Sequence, residues 1–193
     1  MDKQIGFTLV ELMIAIAVVA VLATVGLPEL QTFVKNSRLT GYTNDLVGSL
    51  NYARGEAVST GQSNIMLSPY TSVASVGWNE GWRVWIDRDN DDARASDGSE
   101  DIKEFKLDDD NVTLKAEVIS TACATGTSAT FFDDFGFFAT GLLNAGASND
   151  CVRFSFCDDR SSEDKRRITV RRTGRVVLNV IKPTNAAYST TCQ

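Results

Sequence analysis

The feature that most restricts the fold is an apolar stretch of twenty residues near the amino terminus. It runs from Phe7 to Gly26 and holds a single charged residue, Glu11. A helix of this length spans about 30 Å, the thickness of the hydrocarbon core of a bilayer. Buried helices of soluble domains seldom stay apolar on every face over such a length, so the stretch predicts a membrane-spanning segment.

Glu11 is the anomaly in this segment. A carboxylate deep in a bilayer costs roughly 2.5–3.5 kcal/mol on insertion scales, so it is seldom present without a partner. The polar residues MDKQIG precede the apolar stretch, which then passes directly into an amphipathic pattern, unlike a cleaved secretory signal. We therefore expect a retained segment in which Glu11 is functional; the alternative is a protonated carboxylate that reaches the headgroups.

Beyond Pro28 the apolar residues recur at spacings of three and four, with polar residues between them. This pattern predicts an amphipathic helix, continuous with the apolar stretch, from about Phe7 to Ser59. Gly61 is expected to end it, because glycine is favoured just past a helix C-terminus. The apolar stripe consists of Leu39, Tyr42, Leu46, Leu50, Ala53 and Ala57.

After Gly61 the sequence changes to short β-branched and aromatic runs separated by Gly, Asn, Asp and Ser clusters. Such runs are typical of strands in an antiparallel sheet or small sandwich. We expect an α+β fold in which one long N-terminal helix packs on this sheet. The predicted strands lie at 64–67, 81–86, 111–114, 152–156, 168–170 and 175–180.

The sequence GFTLVE at positions 6–11, between a polar leader and an apolar helix, resembles the class III signal of type IV pilins and type II secretion pseudopilins. In that family a prepilin peptidase cuts after the glycine and methylates the new terminal amine. The resemblance implies cleavage after Gly6 and methylation of Phe7. It also implies that Glu11 pairs with the amine of a neighbouring subunit, and that Pro28 bends the helix.

The head motifs WRVWID (82–87), FFDDFG (131–136) and ITVRRTGR (168–175) are similar to the GspH/FimT/FimU branch of this superfamily. This resemblance implies a pilin-like fold and a minor pilin, without catalytic activity, that helps to initiate a type IV pilus and form its tip complex. The implied partners are major and minor pilins, prepilin peptidase and the inner membrane. The alternative within the family is a pseudopilin of a type II secretion system.

The resemblance also implies an organisation along the chain. Residues 1–6 would be the prepilin leader, 7–27 the transmembrane or filament-core half of the helix, and 28–60 its amphipathic half. Residues 61–193 would form a periplasmic head. The protein would cross the inner membrane once and reach the extracellular pilus tip after assembly.

Acidic residues are concentrated between positions 87 and 110, where eleven Asp and Glu stand against four Lys and Arg. Asp87, Asp89 and Asp91 alternate as the first ligands of a calcium loop do. Further oxygen donors close enough to complete the set are Asp92, Asp97, Glu100 and Asp101. However, Asp92 replaces the glycine that an EF-hand requires, and Gly98 replaces its final glutamate. The segment is therefore not an EF-hand. A solvated loop without a cofactor is the main interpretation, and a weak calcium site of another geometry is the alternative.

A basic segment follows near the C-terminus, with Thr173 and Gly174 at the expected turn of a hairpin. Related FimT-type subunits bind DNA through a Gly-Arg-x-Arg stretch, whereas here Gly174-Arg175 is followed by two valines. DNA binding is therefore the second hypothesis, and a subunit contact or an exposed charged strand is the first. The arginines are Arg166, Arg167, Arg171, Arg172 and Arg175.

The four cysteines, Cys123, Cys151, Cys157 and Cys192, lie on the periplasmic side of the implied topology. An even number in an oxidising compartment predicts two disulfides. Three pairings are open, including a local bridge between Cys151 and Cys157 with a second from Cys123 to Cys192. A zinc site is disfavoured because the sequence has no CxxC pair.

Composition narrows the function further. The chain has no histidine, which excludes histidine-dependent triads and histidine metal sites. Its net charge of −6 would repel nucleic acid unless a local patch overrides it. No nucleophile with a positioned base and no cofactor motif is recognisable, so an enzyme is the least favoured class.

Overall fold

The computed structural model describes residues 7–61, 65–71, 77–89, 91, 93–119, 134–145, 151–160 and 165–182. Gly6, Cys123 and Cys192, which the sequence singled out, lie outside these ranges. The chain divides into two compact units, Met1–Arg38 and Leu39–Gln193.

Helix α1 spans Leu9–Thr60, which confirms the long helix expected from the sequence, with its start two residues later than predicted. Thr8 is its N-cap, because its hydroxyl oxygen accepts a hydrogen bond from the Glu11 amide at 3.2 Å. At the other end Gly61 has a φ of 68°, the left-handed conformation that commonly follows a helix C-terminus.

The first unit contains the apolar part of α1. Ten large apolar side chains between Leu9 and Leu22 are each more than half exposed. This helix has one segment long and apolar enough to cross a membrane. An apolar surface of this kind must be covered by lipid or by other subunits, which is consistent with membrane anchoring.

In the described part of the second unit, nine strands form two antiparallel sheets. A short 3₁₀ helix, Gly77–Glu80, leads into the second strand. In spatial order, sheet A contains β3 (Asp101–Lys106), β2 (Gly81–Ile86), β1 (Ile65–Pro69), β5 (Phe135–Phe137) and β6 (Leu143–Asn144). Sheet B contains β4 (Val112–Ile119), β7 (Cys151–Asp158), β8 (Lys165–Arg171) and β9 (Val176–Ile181).

One apolar core joins the second half of α1 to both sheets. The helix stripe expected from the sequence lies in it: five members are buried and Tyr42 packs at its edge. Trp82 of β2 stacks on Phe105 of β3 with ring centroids 5.3 Å apart. Its Nε1 donates a hydrogen bond of 2.9 Å to the Ser49 hydroxyl of α1, so the sheet is fixed to the helix by a buried polar contact as well as by packing.

Candidate functional site

The first candidate is the carboxylate of Glu11. It is the third residue of α1, and its side chain is exposed among apolar neighbours. A negative charge in the first turn interacts favourably with the helix dipole, so the helix tolerates this residue without needing a cation inside the same chain. The next acidic residue along α1 is Glu29, about 27 Å further on at the rise of an α-helix.

The second candidate is a cluster of arginines at the β8–β9 turn. Gly174 closes the turn with a φ of 73°, and its amide donates to the Arg171 carbonyl at 2.8 Å. Arg54 of α1 lies beside this turn, where its Nε donates to the Gly141 carbonyl at 3.0 Å. The sequence did not predict this fourth cation, because it lies more than a hundred residues earlier. We call the set the basic turn: Arg54, Arg171, Arg172 and Arg175.

Arg166 and Arg167 do not belong to the basic turn, which corrects the expectation of a single patch. They lie at the opposite end of β8 and are half-buried, whereas Arg171 is exposed. Arg153 is also buried there, with Nη1 3.8 Å from Glu117 Oε2. Burial lowers the pKa of Arg167, and the nearby Arg153 lowers it further. Burial likewise lowers the pKa of Arg153, and Glu117 offsets part of this effect.

The acidic segment brings three of the carboxylates that the sequence offered as ligands into one cluster. Oxygens of Asp87, Asp89 and Glu100 all lie within 4.8 Å of one another. Asp91 is not part of this group. Its amide donates to Asp87 Oδ1 at 3.2 Å, and its own carboxylate accepts from the Ala93 amide at 2.8 Å. Asp91 therefore shapes the loop, and Glu100, which the sequence also offered as an oxygen donor, joins Asp87 and Asp89 in its place.

Glu100 organises this loop from its interior. It is 4% exposed. Its two carboxylate oxygens accept hydrogen bonds from the amides of Arg88 at 2.8 Å and Ala95 at 2.7 Å. Partial desolvation and the nearby charges of Asp91 and Glu100 raise the pKa of Asp89. Oxygen ligands with mutual repulsion suit a calcium ion, while the amide bonds alone account for the fold of the loop.

The structure excludes one of the three disulfide pairings. Cys151 and Cys157 are both disulfide-bonded and occupy opposite ends of the extended strand β7. Six residues of strand span about 20 Å, whereas bridged cysteines have Cα atoms within about 7 Å. The local Cys151–Cys157 bridge is therefore wrong. Cys123 and Cys192 lie outside the described residues, so a bridge from each of them to one end of β7 stays a prediction.

A long N-terminal helix, apolar and exposed at its start and packed on antiparallel sheets further on, defines a pilin-like protein. The model of the family "Type II transport protein GspH" matches residues 42–174. The model of the "Prokaryotic N-terminal methylation motif" matches residues 1–27. Because the first match covers more than half of the chain, the protein belongs to the GspH family, within the type IV pilin and pseudopilin superfamily.

Among solved structures, the fold is similar to the type IV minor pilin FimU of Pseudomonas aeruginosa. The TM-score is 0.54 at 19% identity, over 76% of this chain and 92% of that one. A second crystal form of FimU gives a TM-score of 0.51 at 18% identity, over 72% and 91%. The pilin-like fold expected from the sequence is confirmed.

Two curated relatives match a shorter segment. Prepilin peptidase-dependent protein D of Escherichia coli is 48% identical over 40 residues, 21% of this chain and 27% of that protein. The type IV major alpha-pilin of Moraxella bovis is 44% identical over 46 residues, 24% and 29% of the two chains. The chain thus aligns with less than a third of the length of these relatives.

Proposed function

We propose that this chain is a minor pilin that helps to initiate a type IV pilus and form its tip complex. Prepilin peptidase would cut after Gly6 and methylate Phe7. The helix would hold the protein in the inner membrane with its head in the periplasm until assembly draws it into the filament. Major and minor pilins would be its direct partners, and its role would be structural.

The observation that carries this proposal is the exposed apolar start of α1 with one carboxylate in its first turn. In a filament these apolar faces bury one another, and Glu11 would accept the positive amine of the adjacent subunit. Two opposite charges that are buried in the same place must pair with each other, because removal of one leaves the other buried without a partner. Burial would supply the affinity, and the charge pair would set the axial position of the subunit.

The test compares Glu11→Val with Glu29→Val, the same loss of an exposed carboxylate on the same helix. Both variants should enter the membrane and be shortened by the peptidase, as mass spectrometry of the purified protein would show. Glu11→Val should fall by roughly a hundredfold or more in sheared filaments, because removing one partner of a buried charge pair costs about 3–5 kcal/mol. Glu29→Val should remain near wild type. Normal incorporation of Glu11→Val would overturn the role of Glu11.

The alternative within the family is a pseudopilin of a type II secretion system. Both systems use the same N-terminal motif, so the motif does not distinguish them. Deletion of the gene distinguishes them by which of the two functions is lost. A pilus subunit predicts loss of surface filaments with protein secretion intact. Loss of secreted proteins with normal filaments would transfer the assignment to the secretion system.

DNA binding is a second candidate, and one observation favours it. The basic turn gathers four arginines, and the exposed ring of Phe138 lies in the adjacent segment 138–142. Cations that contact phosphates, together with an aromatic face for stacking, are the elements of single-strand binding. Arg54 of α1 would thus take the place of the second arginine that the Gly-Arg-x-Arg stretch lacks in this chain.

A mobility shift with single-stranded DNA tests this candidate on the full chain in neutral detergent. The variant Arg171→Ala/Arg172→Ala should lose binding, and the slope of log affinity against log salt should fall by about 1.4 for two lost phosphate contacts. Lys103→Ala/Lys106→Ala removes two exposed cations from β3 and should bind as wild type does. Absence of binding at low salt would leave the basic turn as a subunit contact.

A further inference from the structure

The two sheets have four edge strands in the described part of the chain, and they differ in how they are protected. Strand β3 is charged, with Lys103 and Glu104 exposed. The β4 amide of Leu114 donates to Asn79 Oδ1 at 2.9 Å. Strand β6 is two residues long. Charge, capping and shortness are the usual means by which proteins keep sheet edges from pairing.

Within the described ranges, strand β9 has none of these protections. Its six residues, VVLNVI, contain no charge, no proline and no glycine. Among the described residues it pairs with β8 alone. An apolar edge strand of this length presents unpaired backbone groups that readily accept another strand. The contrast with the three other edges marks β9 as the edge open to a partner.

The register shows which side of sheet B the exposed residues of β9 occupy. Leu178 lies opposite Ile168, which is fully buried, and Val180 lies opposite Arg166. Cross-strand partners share a face, so Leu178 and Val180 are on the core side of the sheet. They are nevertheless 46% and 50% exposed. The core therefore ends before the edge of the sheet and leaves an apolar strip of two side chains, which we call the β9 strip.

Arg166 supplies a polar group at the end of the β9 strip. It is on the same face, because it also lies opposite the buried Phe156. Its Nη1 is buried and has no hydrogen-bond partner among the described residues. A buried donor on a charged group that lacks an acceptor is unfavourable, and a carboxylate is the acceptor that matches a guanidinium best. The strip is thus apolar along its length, with an unsatisfied guanidinium donor at one end.

We propose that β9 pairs with an extended strand from the head of a neighbouring subunit. The strand would form main-chain hydrogen bonds to β9, cover the β9 strip with an apolar side chain, and place a carboxylate against Arg166. If it runs antiparallel to β9, the acidic residue lies near its amino end, since Arg166 is opposite Val180. This proposal rests on the assembly role above and specifies one contact within it.

A second copy of this chain does not fit the same edge. Antiparallel pairing of two β9 strands about their centre would bring Arg175 opposite Lys182 at both ends. Like charges directly opposite each other destabilise a strand pair. Because β9 contains no acidic residue, it would also leave Arg166 without an anion. The partner is therefore a different, acidic strand.

The direct test uses the full chain in neutral detergent and a fluorescein-labelled peptide, Asp-Thr-Val-Thr-Val-Thr-Val, in which Asp and the valines share one face of the strand. The peptide should bind saturably, and Leu178→Lys or Arg166→Gln should weaken it by roughly tenfold, the scale of a lost interface contact. Leu142→Lys is the matched control, because Leu142 is a 42% exposed leucine outside β9. A peptide that begins with Asn should bind more weakly than the Asp form. Absence of saturable binding, or equal binding to all variants, would overturn the proposal.

The same variants report on assembly in cells. Leu178→Lys should reduce incorporation into filaments while processing at the N-terminus and the thermal midpoint of the head stay unchanged, and Leu142→Lys should change none of these. If Leu178→Lys unfolds the head, the incorporation of Arg166→Gln is measured instead. A chain that never enters filaments refutes the assembly role, whereas the peptide assay still decides whether β9 accepts a strand. The two failures are therefore distinguishable.

Discussion

Gly174 offers a sharp test of how the basic turn is built. Its φ of 73° is unfavourable for any residue with a side chain, by about 1–2 kcal/mol. A Cβ at this position would lie 2.0 Å from the Gly141 carbonyl oxygen and 2.7 Å from Arg54 Nε. Gly174→Ala must therefore push apart the two turns that meet there and disturb the hydrogen bond between Arg54 and Gly141.

The expected loss can be worked out by comparison with Gly61. That glycine has nearly the same φ, 68°, but a Cβ added to it would meet no atom within 4 Å. Gly61→Ala should therefore cost only the conformational term of about 1–2 kcal/mol. Gly174→Ala adds a disrupted hydrogen bond from a charged donor, worth about 1.5–3 kcal/mol. We expect a total of about 2.5–5 kcal/mol for Gly174→Ala, before any relief by backbone movement.

Urea unfolding of the full chain in neutral detergent measures both variants. The three tryptophans of the chain, Trp78, Trp82 and Trp85, are all buried near or within sheet A, so their fluorescence follows the head and not the membrane segment. In thermal unfolding of the same variants, each kcal/mol of unfolding free energy that is lost should lower the melting temperature by about 2–4 °C for a domain of this size. Equal losses of unfolding free energy for the two variants would refute the close contact of the turns.

Three further perturbations are expected to have measurable effects. Trp82→Phe removes the hydrogen bond to Ser49 and part of the core volume, so the free energy of unfolding should fall by about 2–3 kcal/mol in urea titration followed by circular dichroism. The pKa of Tyr70 is lowered chiefly by its hydrogen bond with Lys106; Lys106→Met should raise it, as NMR titration of labelled tyrosine would detect, and an unchanged pKa would contradict the contact. Calcium at millimolar concentration should raise the melting temperature by roughly 3 °C through the carboxylate cluster, and Asp89→Asn should abolish the shift, whereas equal shifts would indicate non-specific ions.

The sequence predicted the parts of the fold that depend on the spacing of apolar residues close together in the chain. The stripe through Leu46 and Leu50 specifies which helix face is buried, because the helical period is fixed at 3.6 residues. Strand β2 was likewise predicted with its bounds correct, since Trp82 to Ile86 is a dense run of large residues. These features depend on residues that are near one another in the chain, so a single sequence is enough to predict them.

The sites were predicted less well, because their members come together only through tertiary structure. Arg54 reaches the basic turn because β6 and the β8–β9 turn meet, with the Leu143 amide donating to the Arg172 carbonyl at 2.9 Å. The acidic segment offered Glu100 as well as the alternating Asp87, Asp89 and Asp91, and spacing alone did not show which carboxylates would meet. Hydrogen bonds from backbone amides hold Asp91 apart from the cluster and place Glu100, next to the start of β3, beside Asp87 and Asp89.

The bounds of strand β7 decide which cysteines can form a disulfide with each other. The predicted strand at 152–156 left both flanking cysteines in loops, where a local bridge was feasible. The observed β7 is longer by one residue at its start and two at its end. It therefore includes both cysteines and holds them about 20 Å apart. Two pairings remain, in which Cys123 joins either Cys151 or Cys157.

Chain length favours the pairing of Cys123 with Cys151. Ile119, at the end of β4, lies opposite Cys151, and Cys123 follows four residues later, within about 14 Å of it when fully extended. Cys157 is opposite Thr113, at the other end of the β4–β7 strand pair. Cys123 would approach Cys157 only if the chain reversed direction directly after Ile119 and ran fully extended along β4. Mass mapping after digestion without reduction should give Cys123–Cys151 and Cys157–Cys192. A Cys123–Cys157 peptide would refute this reach argument, and free thiols would refute the two bridges themselves.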